Sequence, residues 1–120
     1  MSTTTQQVAE AFSSHRFAEV YEHLADDVRW VLPGQATIEG KDAVVAACES
    51  SSAELAGLDH VDLERFVSVG GEAVAAVDAI GRYVGADGSV SIVSSADIYE
   101  FDPAGRVVRI TSYAVELPAG

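Results

Sequence analysis

Apolar residues recur at helical spacing through the first half of the chain and at alternate positions through the second. Thr4, followed three residues later by Gln7, makes a capping box, and Val8, Ala11 and Phe12 then return with the period of a short helix. Ser13 and Ser14 end it and cap a second helix, whose apolar side is Phe17, Val20, Tyr21 and Leu24, with Arg16, Glu19, Glu22 and His23 outside. Asp26 and Asp27 close this helix pair. Val28 to Leu32 predicts a short strand containing Trp30, and Pro33 with Gly34 turns the chain. Gly40 and Asp42 open a third helix, with Val44, Ala47, Cys48, Ser51 and Leu55 on one side and Gly57 at its C-terminal cap.

From Val61 the period is two, and each interruption is a turn signal: Gly70-Gly71, Gly85-Ala86-Asp87-Gly88 and Asp102-Pro103-Ala104-Gly105. Four strands are predicted, at about 61–69, 73–84, 89–101 and 106–116, with connections short enough for antiparallel neighbours. Helices followed by strands read as α+β, with the helices on one face of a curved antiparallel sheet. The 73–84 strand has an apolar face, Ala75, Val77, Ala79, Gly81 and Tyr83, and a mixed face, Val74, Ala76, Asp78, Ile80, Arg82 and Val84. Neither suits open water, so the helices are expected to cover one and a second subunit the other. The mixed face is the expected pocket lining, because pockets are apolar with a few placed polar groups.

Composition narrows the function. The 120 residues, 48% hydrophobic, suit one domain over 1–120 with a core at about 6–116. Seven Lys and Arg against 19 Asp and Glu give a net charge of −12, which argues against nucleic acid and against anionic membrane surfaces. No apolar run approaches the ~20 residues of a membrane span, and the first residues lack the basic and apolar parts of a secretion signal, so a cytoplasmic location is expected. One cysteine, Cys48, rules out an internal disulfide, and the absence of Asn removes any N-glycosylation acceptor.

Several motifs lead nowhere. Gly34 to Lys41 imitates a phosphate loop, but five residues separate its glycines and Asp42 stands where a Ser or Thr should hold magnesium. A turn into a capped helix explains it better. His15, His23 and His60 have no metal-ligand spacing, and Glu19 with His23 reads as a solvated helix pair, so no metal is expected. Cys48, on the apolar side of a helix, reads as a small core residue, and no Gly-x-Ser-x-Gly elbow is present.

Asp97 is the candidate that remains. It lies mid-strand, and alternation places it on one face with Val93, Ser95, Tyr99 and Phe101. A carboxyl group facing an apolar interior must be hydrogen-bonded, paired with a cation such as Arg82, or kept neutral by desolvation. Each outcome suits acid–base work; the plain alternative is a side chain that ties a loop or faces solvent.

Three strings, His-Leu-Ala-Asp-Asp-Val-Arg-Trp-Val-Leu-Pro-Gly (23–34), Ile-Glu-Gly-Lys-Asp-Ala-Val (38–44) and Ala-Asp-Ile-Tyr-Glu-Phe-Asp-Pro-Ala-Gly-Arg-Val (96–107), together with the order of elements, resemble the nuclear transport factor 2-like superfamily in its SnoaL-like and ketosteroid-isomerase-like branch. The resemblance covers roughly residues 6–116. It implies a cone of three helices against a curved, mostly antiparallel sheet, a deep apolar cavity, and a homodimer through the outer sheet face. It also implies that Asp97 occupies the position of the steroid isomerases' neutral, enolate-stabilising acid. The isomerase base falls on Leu32, which takes no proton, and the oxyanion tyrosine falls near Val8, so steroid-type isomerisation by the usual residues is not expected. Asp78, Arg82 and Asp97 imitate the Asp-Arg-Asp set of limonene-type epoxide hydrolases, although Asp78 and Arg82 are four apart rather than two.

The expected cavity is lined by Trp30, Leu32, Cys48, Ile80, Arg82, Val84, Ser95, Asp97, Tyr99, Ile110, Ser112 and Ala114, with Asp78 beside it. It suits a small hydrophobic ligand with one or two oxygen atoms and calls for no cofactor. In a cofactor-free isomerase, dehydratase or epoxide hydrolase, Asp97 is the general acid or base, Arg82 its charge partner or oxyanion clamp, and Tyr99 or Trp30 the substrate platform. In a ligand-binding or assembly module, Asp97 only satisfies a structural hydrogen bond.

Overall fold

A computed structural model describes residues 3–118. The elements are α1 (Thr5–Ser13), β1 (Leu24–Leu32), β2 (Ala36–Glu39), α2 (Lys41–Ala56), β3 (Leu58–Gly70), β4 (Val74–Gly85), β5 (Val90–Phe101) and β6 (Val107–Leu117). The strands form one six-stranded sheet in the order β2-β1-β6-β5-β4-β3, antiparallel throughout except between β1 and β6. The α+β architecture with helices on one sheet face is as the periodicity predicts.

Both bonds of the capping box form at α1: Thr4 Oγ1 accepts from the Gln7 amide, and Thr4 N–H donates to Gln7 Oε1. The helix then buries Val8, Ala9, Ala11, Phe12 and Ser13. Its first turn lies directly on the end of β3, where a Cβ on Gly70 would meet Gln6 Cβ at 2.6 Å. α2 buries only Val44 and Cys48, one turn apart, along a stripe of small residues.

The second predicted helix is not there. Its residues form two 3₁₀ turns, Phe17–Glu19 and Tyr21–His23, and β1 begins at Leu24, four residues before the predicted strand. No side chain caps either turn, and an eight-residue helix is marginal without one. Leu24 instead pairs with Val107 of β6. Phe17, Val20 and Leu24 still reach the core, so the burial pattern holds while the backbone differs. Nor does the sequence pattern predict β2, a short edge strand paired to β1 and held by an Arg29–Glu39 ion pair.

Register decides which sheet face meets the helices. Gly81 pairs with Val93, Ala79 with Ser95, and Val77 with Asp97; Asp97 in turn pairs with Ser112, and Ser95 with Ala114. Directly opposed residues share a face, so odd positions of β4 and β5 and even positions of β6 lie inward together. Ala75, Val77 and Ala79 are nearly inaccessible beneath α1. This overturns the expectation that the mixed face lines the pocket: Asp78, Ile80, Arg82 and Val84 lie on the outer face. The physical reason is fit. Alanine and glycine let a helix and a cavity sit close to the sheet, whereas Asp78 and Arg82 remain half exposed, where Asp78 pairs with Arg65 at 3.0 Å and Arg82 lies 4.0 Å from Asp62.

Candidate functional site

Between the helices and the inner sheet face lies a cavity of about 440 Å³. Phe12 and Ser13 of α1, His15 and Phe17 just after it, Leu55 of α2, Trp30 and Leu32 of β1, and the inward residues of β4, β5 and β6 surround it. Of the expected lining, Trp30, Leu32, Ser95, Asp97, Ser112 and Ala114 are in its wall. Tyr99, Ile110 and Cys48 are fully buried in the core behind it. Ile80, Arg82, Val84 and Asp78 are absent from the wall, so Arg82 does not pair with Asp97, and the Asp78, Arg82 and Asp97 set does not assemble.

Asp97 is held by a relay of hydroxyls. Ser13 Oγ donates to Asp97 Oδ2 at 2.7 Å, and the Tyr99 phenol is hydrogen-bonded to Ser13 Oγ. Since the serine proton goes to Asp97, the phenol proton goes to the serine. Burial, reinforced by the charge of Asp97, raises the Tyr99 phenol well above its ordinary value, so it stays protonated and serves as donor. The relay exists because α1 places Ser13 over β5, where Asp97 and Tyr99 are two residues apart on one face.

A second polar pair stands in the same wall. His15 Nε2 lies 2.9 Å from the Tyr83 hydroxyl. Burial lowers the imidazole, an effect partly opposed by Asp97, and raises the Tyr83 phenol with Asp97 adding to the rise, so both are neutral at pH 7. His15 is the one non-glycine residue with positive φ among those described, at 70°. Tyr83 lies back over Gly81, whose missing Cβ leaves room: a methyl there would be 2.7 Å from Cε1 of the ring. In the sequence, His15 stands out only as a metal-ligand candidate, and Tyr83 falls on the β4 face that is not expected to line the pocket. The usable signal was a glycine two residues before an aromatic on one strand face.

Trp30 Nε1 donates to Ser112 Oγ at 2.9 Å, and its ring meets Phe12 edge-on at 5.1 Å. That fixes one apolar wall. The thiol of Cys48 is pushed up to about 12 by burial, and then by Glu49, and has no access to the cavity. Among the described residues no arginine or lysine lines the cavity, and no group of three or more His, Cys, Asp or Glu converges as a metal site would require. Among the described residues no helix is long and apolar enough to cross a membrane.

Comparison with known proteins places this geometry. The family model described as a SnoaL-like domain matches residues 5–110. Among solved structures, a protein of unknown function from Cytophaga hutchinsonii, described as NTF2-like, is 29% identical, with a TM-score of 0.76 over 90% of this chain and 93% of that one. A candidate polyketide cyclase from Pseudomonas putida is 17% identical, with a TM-score of 0.69 over 93% of this chain and 92% of that one. An epoxide hydrolase/cyclase-like enzyme of pyran ring formation in the polyether salinomycin is 13% identical, with a TM-score of 0.68 over 92% of this chain and 90% of that one. The last two likenesses show the fold alone, which is nuclear transport factor 2-like. No curated protein sequence matches the chain.

Proposed function

The chain belongs to the SnoaL-like domain family, and from that premise we propose that it is a cofactor-free acid–base enzyme of the isomerase, dehydratase or epoxide hydrolase type acting on a small hydrophobic metabolite. The observation that carries this reading is Asp97, oriented by Ser13 in the wall of an otherwise largely apolar cavity. A positioned carboxyl group in water-poor surroundings takes a proton from a C–H, an O–H or an attacking water and returns one to the oxygen that gains charge, a contribution of about 10² to 10⁴ in rate. The candidate cyclase and the epoxide hydrolase/cyclase-like enzyme that share the fold are consistent with such chemistry. With Asp97 and Glu54 as the charged groups of the wall and no cation beside them, the cavity disfavours anionic substrates.

The test is Asp97→Asn, a nearly isosteric change that can still accept from Ser13. Wild type and variant are incubated with neutral epoxides such as styrene oxide and with neutral β-hydroxy ketones, and products are followed by gas chromatography. Turnover of at least one substrate is expected, falling about 10²-fold or more in the variant, with an unchanged melting temperature. Turnover that survives Asp97→Asn refutes the assignment. Binding without turnover supports the ligand-binding alternative, which the hydrogen-bonded relay of Tyr99, Ser13 and Asp97 favours.

The homodimer is part of the same proposal. Val67, Val69, Val74, Ile98 and Val115 leave apolar surface exposed on the outer sheet face, where a second copy would cover it. Sedimentation is expected to give a dimer at tens of micromolar; a strict monomer refutes it.

A further inference from the structure

The cavity has two polar stations, and the proposed acid–base reading uses only one. Along the inner face of β5, Asp97 lies at the level of Val77, while Gly81, which carries the Tyr83 ring, lies at the level of Val93. Val77 and Gly81 are four positions apart on β4, roughly 14 Å of backbone at about 3.4 Å per residue. The Asp97 side chain reaches into that gap from one end and His15 with Tyr83 from the other, and Ser95 lies between. All of them line the one cavity of about 440 Å³.

We propose that Tyr83 is the hydrogen-bond donor to an oxygen of the ligand, oriented by His15 through its Nε2–H, and that the cavity therefore takes a neutral molecule with a carbonyl or ether oxygen at the Tyr83 end.

Three independent features converge on this role. His15 holds a backbone conformation that non-glycine residues rarely adopt, which brings its imidazole from the end of α1 to the Tyr83 hydroxyl. Gly81 gives up its side chain at the position where the ring must lie. Burial keeps both partners uncharged; in the Nε2–H tautomer the imidazole donates to the phenol oxygen, and the phenol proton then points into the cavity. A neutral donor in an apolar wall discriminates strongly in favour of an oxygen acceptor, because a ligand without one leaves the hydroxyl unpaired. An anionic acceptor is disfavoured by Asp97 and Glu54 in the same wall. In the proposed enzyme, Tyr83 is then a catalytic residue that polarises the ligand oxygen while Asp97 moves the proton, and His15 and Gly81 are positioning residues. This role rests on the acid–base reading, whereas the binding geometry does not.

The test uses acetophenone labelled with ¹³C at the carbonyl and read by NMR with wild type, Tyr83→Phe, His15→Gly and Asp97→Asn. Saturable binding with a downfield carbonyl shift is expected for wild type. Tyr83→Phe is expected to lose the shift and bind about fivefold more weakly, the equivalent of one neutral hydrogen bond. Glycine tolerates the backbone of residue 15, so His15→Gly keeps the fold. It is expected to lose part of the shift and to recover it when millimolar imidazole is added, which a purely structural histidine would not allow. Asp97→Asn is expected to keep the shift. The inference is overturned by absence of saturable binding, by a bound carbonyl shift equal in wild type and Tyr83→Phe, or by failure of imidazole to restore His15→Gly. A Tyr83-dependent shift without turnover keeps the ligand inference and sinks the enzyme reading; turnover that needs Asp97 but not Tyr83 does the reverse.

Discussion

Replacing Gly81 with Ala separates the placement of Tyr83 from the stability of the fold. The new methyl would lie 2.7 Å from Cε1 of Tyr83 and 3.0 Å from its Cζ and hydroxyl oxygen. Carbon atoms meet comfortably at about 3.5 Å, so the ring edge must retreat by about 0.8 Å. The Tyr83 hydroxyl is now 2.9 Å from His15 Nε2, and a retreat of that size away from the imidazole exceeds hydrogen-bonding distance. Losing the bond costs about 0.5 to 1.5 kcal/mol. Gly81 is not in the left-handed region, so alanine fits the backbone and returns about 0.5 to 1 kcal/mol through the unfolded chain. The net effect lies between a loss of about 1 kcal/mol and a gain of about 0.5 kcal/mol, a melting shift of no more than about 5 °C for a chain this size. Urea denaturation measures the stability change, and acetophenone titration reads the placement of Tyr83, where about fivefold weaker binding is expected, as for Tyr83→Phe. A destabilisation above about 3 kcal/mol would show that the ring has nowhere to go, and unchanged acetophenone binding would show that Tyr83 does not depend on Gly81; either result refutes the reasoning.

Ser13→Ala removes the link between Tyr99 and Asp97 and leaves a fully buried phenol without its acceptor; a loss of about 1 to 3 kcal/mol is expected in urea denaturation, largely recovered when Tyr99→Phe is added, and a double variant no more stable than Ser13→Ala contradicts the relay. His15 makes stability depend on pH: burial lowers its imidazole from the ordinary 6.5, so below about pH 6.5 the unfolded chain takes up a proton that the folded chain refuses. Stability is therefore expected to fall as pH drops from about 6.5 through the lower folded value, and to show no His15 contribution above that window. The groups facing the imidazole are Asp97 of β5 and Tyr83 of β4, with Glu54 of α2 in the same cavity wall. His15→Asn, which tolerates the positive φ, should flatten the dependence between pH 7.5 and 5.5, and an unchanged slope rejects this account.

Local pattern carried much of the architecture. The switch from helical to alternating spacing and the three glycine-containing turns place the long strands within a few residues of where they lie, and the Thr4–Gln7 box starts α1 as expected. Asp97 was legible because a lone acid in an apolar alternating run needs a reason to be there. These are short-range signals, and a residue's nearest neighbours in sequence decide them. What sequence could not decide depended on partners distant along the chain. Alternation shows that β4 has two faces, but the register set by the hairpin into β5 assigns Ala79 and Gly81 to the cavity and Arg82 to the outside. The stretch from Phe17 to Leu24 has helical spacing, yet pairing with β6 draws its end into a strand. His15 joins Tyr83, 68 residues away, through a backbone angle that no hydrophobic pattern encodes. Periodicity reports which residues share a face of their own element; only the packing of elements decides what that face meets.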